Sequence, residues 1–131
     1  MSSLEPGRYH IKSQLSGLYF TATPMPGFLV AQPEKGEPFE FRPAGPHFAI
    51  YLYGLPIGIG DDKVVLQTQT LWRVTKVEGQ DAWVFGEADG PKGWWFDPED
   101  EERVVNVRPL LVLPSEPPQY PPPELFVLEK A

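Results

Sequence analysis

Residues 71–75 read Leu71-Trp72-Arg73-Val74-Thr75, an aromatic side chain followed two positions later by a second apolar one. The same alternation stands at Pro38-Phe39-Glu40-Phe41-Arg42 and at Leu125-Phe126-Val127-Leu128-Glu129. A side-chain period of two marks a strand with one buried face, and one such strand used three times implies an internal repeat. Spacings measured outward from it agree. Tyr9 to Tyr19 and Tyr19 to Leu29 are ten residues each; Phe48 to Ile57 is nine and Ile57 to Val65 eight; Trp83 to Trp95 is twelve and Trp95 to Val105 ten. Twelve short apolar runs, from Tyr9–Ile11 to Leu125–Leu128, lie between turn-forming residues and predict twelve strands. They group into three four-stranded units within one domain, approximately residues 7–46, 47–80 and 81–131. The expected fold is therefore all-β, a β-trefoil: pseudo-threefold, with a six-stranded barrel that closes without free edges and a cap of hairpins. A sandwich would lack the threefold period, and an up-and-down barrel would lack the long recurrence.

The period fails at one connection. From third to fourth strand, Leu29 to Phe39 is ten residues and Val65 to Trp72 seven, but Val105 to Phe126 is twenty-one. The third unit thus carries an insertion at residues 110–123, LLVLPSEPPQYPPP, whose prolines predict an extended polyproline segment lying across the surface, without helix. A long connection in a compact domain is usually functional or disordered.

Composition bounds the partners. The 131 residues are 41% hydrophobic and 13% aromatic, enough for one core, while 17 prolines interrupt nearly every window in which a helix could form. Eighteen acidic against eleven basic residues give a net charge of −7, which opposes attraction to nucleic acid and to anionic membrane surfaces. No cysteine is present, so disulfides, Cys-ligated zinc and Cys nucleophiles are excluded together. The opening MSSLEPGRYH has neither a basic region nor an apolar core of the secretory kind, and the expectation is a soluble, cytoplasmic monomer.

Catalytic machinery is not legible. His10 and His47 lie in no metal-binding spacing, none of the five serines stands in a G-x-S-x-G turn, and no glycine-rich phosphate cradle opens a helix. The run Asp97-Pro98-Glu99-Asp100-Glu101-Glu102 lacks the register of a calcium loop and reads as a solvated turn. No enzyme activity, metal or cofactor is expected. The cluster Gly93-Trp94-Trp95-Phe96 could stack on sugar rings if exposed, which makes a carbohydrate-binding lectin an alternative; yet it occupies the position of Leu18-Tyr19-Phe20 and Leu55-Pro56-Ile57, where core packing accounts for at least one tryptophan. The Gln-x-Trp repeat of trefoil lectins does not occur.

Glu5-Pro6-Gly7-Arg8-Tyr9-His10-Ile11, Gly17-Leu18-Tyr19-Phe20, Trp72-Arg73-Val74 and the terminal Phe126-Val127-Leu128-Glu129-Lys130-Ala131 resemble the small fungal β-trefoil protease inhibitors. The resemblance is nearest to the cospin-like serine protease inhibitors of mushrooms and more distant to the mycocypin cysteine protease inhibitors. It implies a non-catalytic, cytoplasmic defence or control protein whose partner is a serine endopeptidase. In inhibitors of this kind one surface loop, differing among members, enters the protease cleft in extended form.

Chain stiffness singles out a loop. Conformational entropy that is not lost on binding becomes affinity, and in Thr23-Pro24-Met25-Pro26-Gly27-Phe28 each proline fixes its own φ and drives the preceding residue into the extended region. Met25 would be the specificity side chain, Pro26 would resist cleavage, and Phe28 is a competing anchor or the start of a strand. A trypsin pocket requires Lys or Arg, which this loop lacks. Lys92, in Asp89-Gly90-Pro91-Lys92-Gly93 between the ninth and tenth strands, is the alternative reactive-site residue, followed by Lys63 and Lys35. A mycocypin-like cysteine protease inhibitor would instead use residues 13–17 and 32–38. Legumain inhibition would need an exposed asparagine, and the sole one, Asn106, falls within a predicted strand.

Overall fold

The structure, a computed structural model, describes residues 4–23, 27–101, 103–112, 114 and 119–131. Among them the chain forms twelve strands: β1 (Gly7–Ser13), β2 (Tyr19–Ala22), β3 (Leu29–Gln32), β4 (Phe39–Ala44), β5 (His47–Leu52), β6 (Leu55–Gly60), β7 (Lys63–Leu66), β8 (Trp72–Val77), β9 (Ala82–Glu87), β10 (Lys92–Trp95), β11 (Asn106–Pro109) and β12 (Phe126–Lys130). All pairings are antiparallel.

Six strands close a ring. β1 pairs with β4 (Tyr9 opposite Phe39), β4 with β5 (Phe41 opposite Ile50), β5 with β8 (Phe48 opposite Trp72) and β8 with β9 (Val74 opposite Phe85). β9 then pairs with β12 (Trp83 opposite Phe126), and β12 returns to β1 (Leu128 opposite Ile11). The other six form the hairpins β2–β3, β6–β7 and β10–β11. These hairpins touch one another at Phe28 with Val65, Val30 with Val104 and Asn106 with Lys63.

The residues that reveal the repeat in the sequence also fill the core. Phe39, Trp72 and Phe126, the first aromatic of each copy, have no exposed surface. Around them Phe85 stacks on Trp94 at 4.3 Å, Trp94 meets both Trp72 and Phe126 edge to face at 5.6 Å, and Phe20 packs on Phe96 at 5.0 Å. Each such pair adds about 1 kcal/mol to the burial of its rings. Turn chemistry supports the hairpins: Tyr53-Gly54 between β5 and β6, and Asp61-Asp62 between β6 and β7, both hold two successive positive φ values. That is the turn whose twist matches paired strands.

Two sequence expectations are adjusted. The run at Val104–Val107 becomes a strand only from Asn106. Residues 103–105 instead bond to two neighbours, with Ala31 N–H donating to Arg103 O and Val64 N–H to Val105 O, both at 3.0 Å. The proline-rich insertion is not wholly extended: Pro122–Glu124 makes one 3₁₀ turn, with prolines at its start, where a missing N–H costs nothing.

Both described ends of the insertion are fixed to the barrel. Leu110 lies against Gly86 and Gly93, where an added Cβ at Gly93 would come within 2.6 Å of the Leu110 side chain and 2.4 Å of Phe85 O. Tyr120 N–H donates to Gln80 Oε1 at 2.9 Å while Gln80 Nε2 donates to Tyr120 O at 3.1 Å. Between these attachments Leu110 and Tyr120 cover a second small cluster of Val77, Ala82, Val84 and Leu125.

Candidate functional site

The β2–β3 hairpin ends in a tightly closed neck. After the register pair Ala22–Leu29, Thr23 N–H donates to Phe28 O at 3.0 Å. Thr23 Oγ1 accepts the N–H groups of both Gly27 and Phe28, each at 3.1 Å. Gly27 turns with φ of +87°, a conformation that disfavours any side chain. The β6–β7 hairpin supports the neck from outside: Leu66 N–H donates to Gly27 O at 2.9 Å, and Lys63 Nζ lies 5.9 Å from the Phe28 ring. Phe28 is half-buried and bridged to Val65, the support of a strand rather than a projecting anchor. Pro24, Met25 and Pro26 lie outside the described residues.

The basic alternative is less free than its sequence position implies. Lys92 is the first residue of β10, opposite Pro109. Its N–H donates to Glu87 Oε2 at 2.9 Å, and its Nζ pairs with Asp62 Oδ1 at 3.2 Å. The loop placement expected for Lys92 is thus corrected to a strand, because Gly93, Trp94 and Trp95 continue the ladder with β11. Lys35 is also engaged, through Glu129 at 3.5 Å.

Glu129 organises a polar cluster on the outer face. Lys12 Nζ approaches it at 3.0 Å and the Tyr19 hydroxyl donates to it at 2.8 Å. Those hydrogen bonds, Lys12 foremost, hold its carboxyl down to about 2. The cluster ties the loop of Lys35 to β2 and β12. The loops at residues 13–17 and 32–38 are neighbours, since Tyr19 at the start of β2 is opposite Gln32 at the end of β3. Leu15 is exposed at the first of them.

The tryptophan cluster is divided. Trp94 has no exposed surface, while Trp95 is half-buried beneath the Arg108 guanidinium, 4.1 Å from its ring centre. Neither histidine joins a metal-binding group among the described residues. In the acidic turn Asp97 Oδ1 accepts Glu99 N–H at 2.9 Å.

Sequence reasoning missed the Thr23 hydroxyl. The signal was present in principle, a threonine four residues before a glycine, because Ser and Thr hydroxyls commonly satisfy turn N–H groups. It also missed Glu124, which has no exposed surface. Glu124 Oε2 accepts Leu111 N–H at 2.7 Å, and burial pushes its carboxyl up to about 6 against that bond and the attraction of Arg108.

A family model for peptidase inhibitor I66 matches residues 1–130. Among solved structures, a proteinase inhibitor from Coprinopsis cinerea is 25% identical with a TM-score of 0.84, over 98% of this chain and 100% of that one. A ricin B-like lectin from Macrolepiota procera, solved with lactose, is 10% identical with a TM-score of 0.75, over 99% of this chain and all of that one. Cry35Ab1 is 15% identical with a TM-score of 0.74, over 95% of this chain and 36% of that one. At such identities the latter two share the fold alone. No curated protein matches the chain.

Proposed function

The chain belongs to the peptidase inhibitor I66 family, and we propose that it inhibits serine endopeptidases through the loop Thr23–Phe28, with Met25 as the residue that enters the specificity pocket. It is a protease inhibitor and not an enzyme. We read the six-strand ring capped by three hairpins as a β-trefoil, a rigid frame from which one loop acts.

The closed neck carries this reading. A segment flanked by two prolines and hydrogen-bonded at its base has little freedom left to lose on binding. An unpaired aspartate at the base of a trypsin-like pocket would be desolvated by a methionine that offers it no donor, whereas an apolar pocket incurs no such cost. Lys92 is a weaker anchor because withdrawing it would break its pair with Asp62. A carbohydrate-binding role loses its main support with Trp94 in the core.

A panel of trypsin, chymotrypsin, elastase, subtilisin and papain tests the reading. Chymotrypsin, subtilisin or both are expected to be inhibited, with Met25→Ala weakening inhibition about thirtyfold or more, Met25→Arg shifting preference toward trypsin, and Lys92→Ala without effect. Loss of trypsin inhibition on Lys92→Ala, with Met25→Ala silent, would move the reactive site to β10. One second reading has its own support: the adjacency of the loops at 13–17 and 32–38 suits a papain-like cleft. Inhibition of papain alone would establish it instead.

A further inference from the structure

We propose that the outward row Lys63, Asn106, Trp95 and Arg108 is a second protein-binding surface, one that takes an acidic, carboxylate-bearing peptide segment of a partner. This surface is independent of which loop enters the protease.

The row crosses from one hairpin to another. Along residues 105–108 the buried Val105 and Val107 alternate with Asn106 and Arg108, which therefore point outward. Asn106 is opposite Trp95 of β10 on one side and Lys63 of β7 on the other. Residues opposed across antiparallel strands share a face, so the three stand side by side. Each end of the row sets a cation against a ring: the Arg108 guanidinium lies 4.1 Å from the Trp95 ring centre, and Lys63 Nζ 5.9 Å from that of Phe28. Beside the row Asp62, Lys92, Asn106, Val107, Arg108 and Pro109 line an open hollow of about 370 Å³.

Charge selects the occupant. The chain carries a net charge of −7, and among the described residues seven of its eleven Lys and Arg side chains pair with a carboxylate. Lys63 and Arg108 do not. The row itself holds two cations and no acid. Of the acids around it, Asp62 is held by Lys92 at 3.2 Å, and Glu124, which attracts Arg108, has no exposed surface. Stacking on Trp95 fixes the guanidinium plane and leaves its N–H edge to fork a carboxylate. The Asn106 amide adds a donor of its own. A sugar ring is the poorer occupant, because Arg108 already covers a Trp95 face on which it would stack.

The test is a nitrogen-15 NMR titration with a hexaglutamate peptide, with hexaglutamine as the neutral control and a heparin-derived sulfated hexasaccharide as a second polyanion. Asn106 is the sole asparagine, so its side-chain amide and the Trp95 indole N–H report on the row directly. Hexaglutamate is expected to shift both, with a Kd that rises as salt is raised from about 20 to about 150 mM. Arg108→Gln and Lys63→Gln should each raise that Kd about threefold, and Arg108→Lys, which keeps the charge and loses the fork, should fall between wild type and Arg108→Gln. Lys76→Gln, which removes an ion pair with Asp81 on the β8–β9 hairpin, should leave it unchanged. The proposal falls if hexaglutamate at about 1 mM shifts neither reporter, or if hexaglutamine binds equally well. It falls too if Lys76→Gln weakens binding as much as Arg108→Gln, since the attraction would then belong to the whole surface. Shifts with the sulfated hexasaccharide alone would assign the row to a sulfated glycan and overturn the acidic peptide.

Discussion

Among the described residues, Glu124 is the charged side chain that lies fully buried. It has no exposed surface, and among the described residues one oxygen receives the Leu111 backbone N–H while the other has no hydrogen-bond partner. A carboxyl held near 6 when folded and near 4.5 when unfolded binds its proton more tightly in the native state. Its contribution therefore favours folding fully below about pH 4.5 and is lost as pH rises through 6. The loss amounts to about 2 kcal/mol. Denaturant unfolding at pH 4.5 and 7.5 should show wild type losing stability relative to Glu124→Gln by about that much. The difference between the two slopes is the diagnostic, since the glutamine amide brings unmet donors of its own. Equal slopes would mean that water or Arg108 already neutralises the site. Glu129 acts in the opposite sense: its lowered carboxyl favours folding above about 4.5 and ceases to do so as pH falls toward 2. Nothing in Pro121-Pro122-Pro123-Glu124-Leu125 announces a buried acid, because its burial depends on where a 3₁₀ turn directs the side chain.

Among elements, the insertion shows most plainly what a pattern conveys. Its length and prolines are legible as an interrupted period, yet its attachments come from residues far away in the chain: Gln80 for Tyr120, and the paired Gly86 and Gly93 for Leu110. Gly93→Ala should lower stability by about 1–3 kcal/mol through overpacking, because the obstacle at Phe85 O is backbone and cannot turn aside. The same substitution should render the insertion the first site of limited proteolysis, as Leu110 loses its seat. An unchanged digestion pattern would show that Gln80 and Glu124 suffice to hold it. The β2–β3 loop divides in the same way: Pro24 and Pro26 lead the sequence to an expectation of stiffness there, whereas the closure of the neck between Thr23 and Phe28 depends on a hydroxyl geometry that spacing does not encode. Lys92 was misplaced for a similar reason, since Asp-Gly-Pro before it reads as a turn and only pairing with β11 shows where the turn ends.

For the whole molecule, the ring is the feature most fully legible, because threefold recurrence is a property of sequence and closure follows from it. Phe39, Trp72 and Phe126 are visible as one residue written three times, and all three are completely buried. Considered as a network, strands are nodes and pairings are links, and the N-terminal piece of the chain is joined to the rest by more than its covalent thread. β1 is linked to β4 and β12, and β2 to β3. Severing the backbone between Thr23 and Gly27 removes one connection from a graph that stays connected without it. A protease that cuts there should therefore release nothing: native mass spectrometry should find the nicked protein at its full mass plus one water, and two fragments should appear only in denaturant. Separation of the fragments under native conditions would refute this. While the cut ends stay tethered, resealing is a reaction within one molecule, and the population of intact chains is set by an equilibrium and not by the number of encounters with the enzyme.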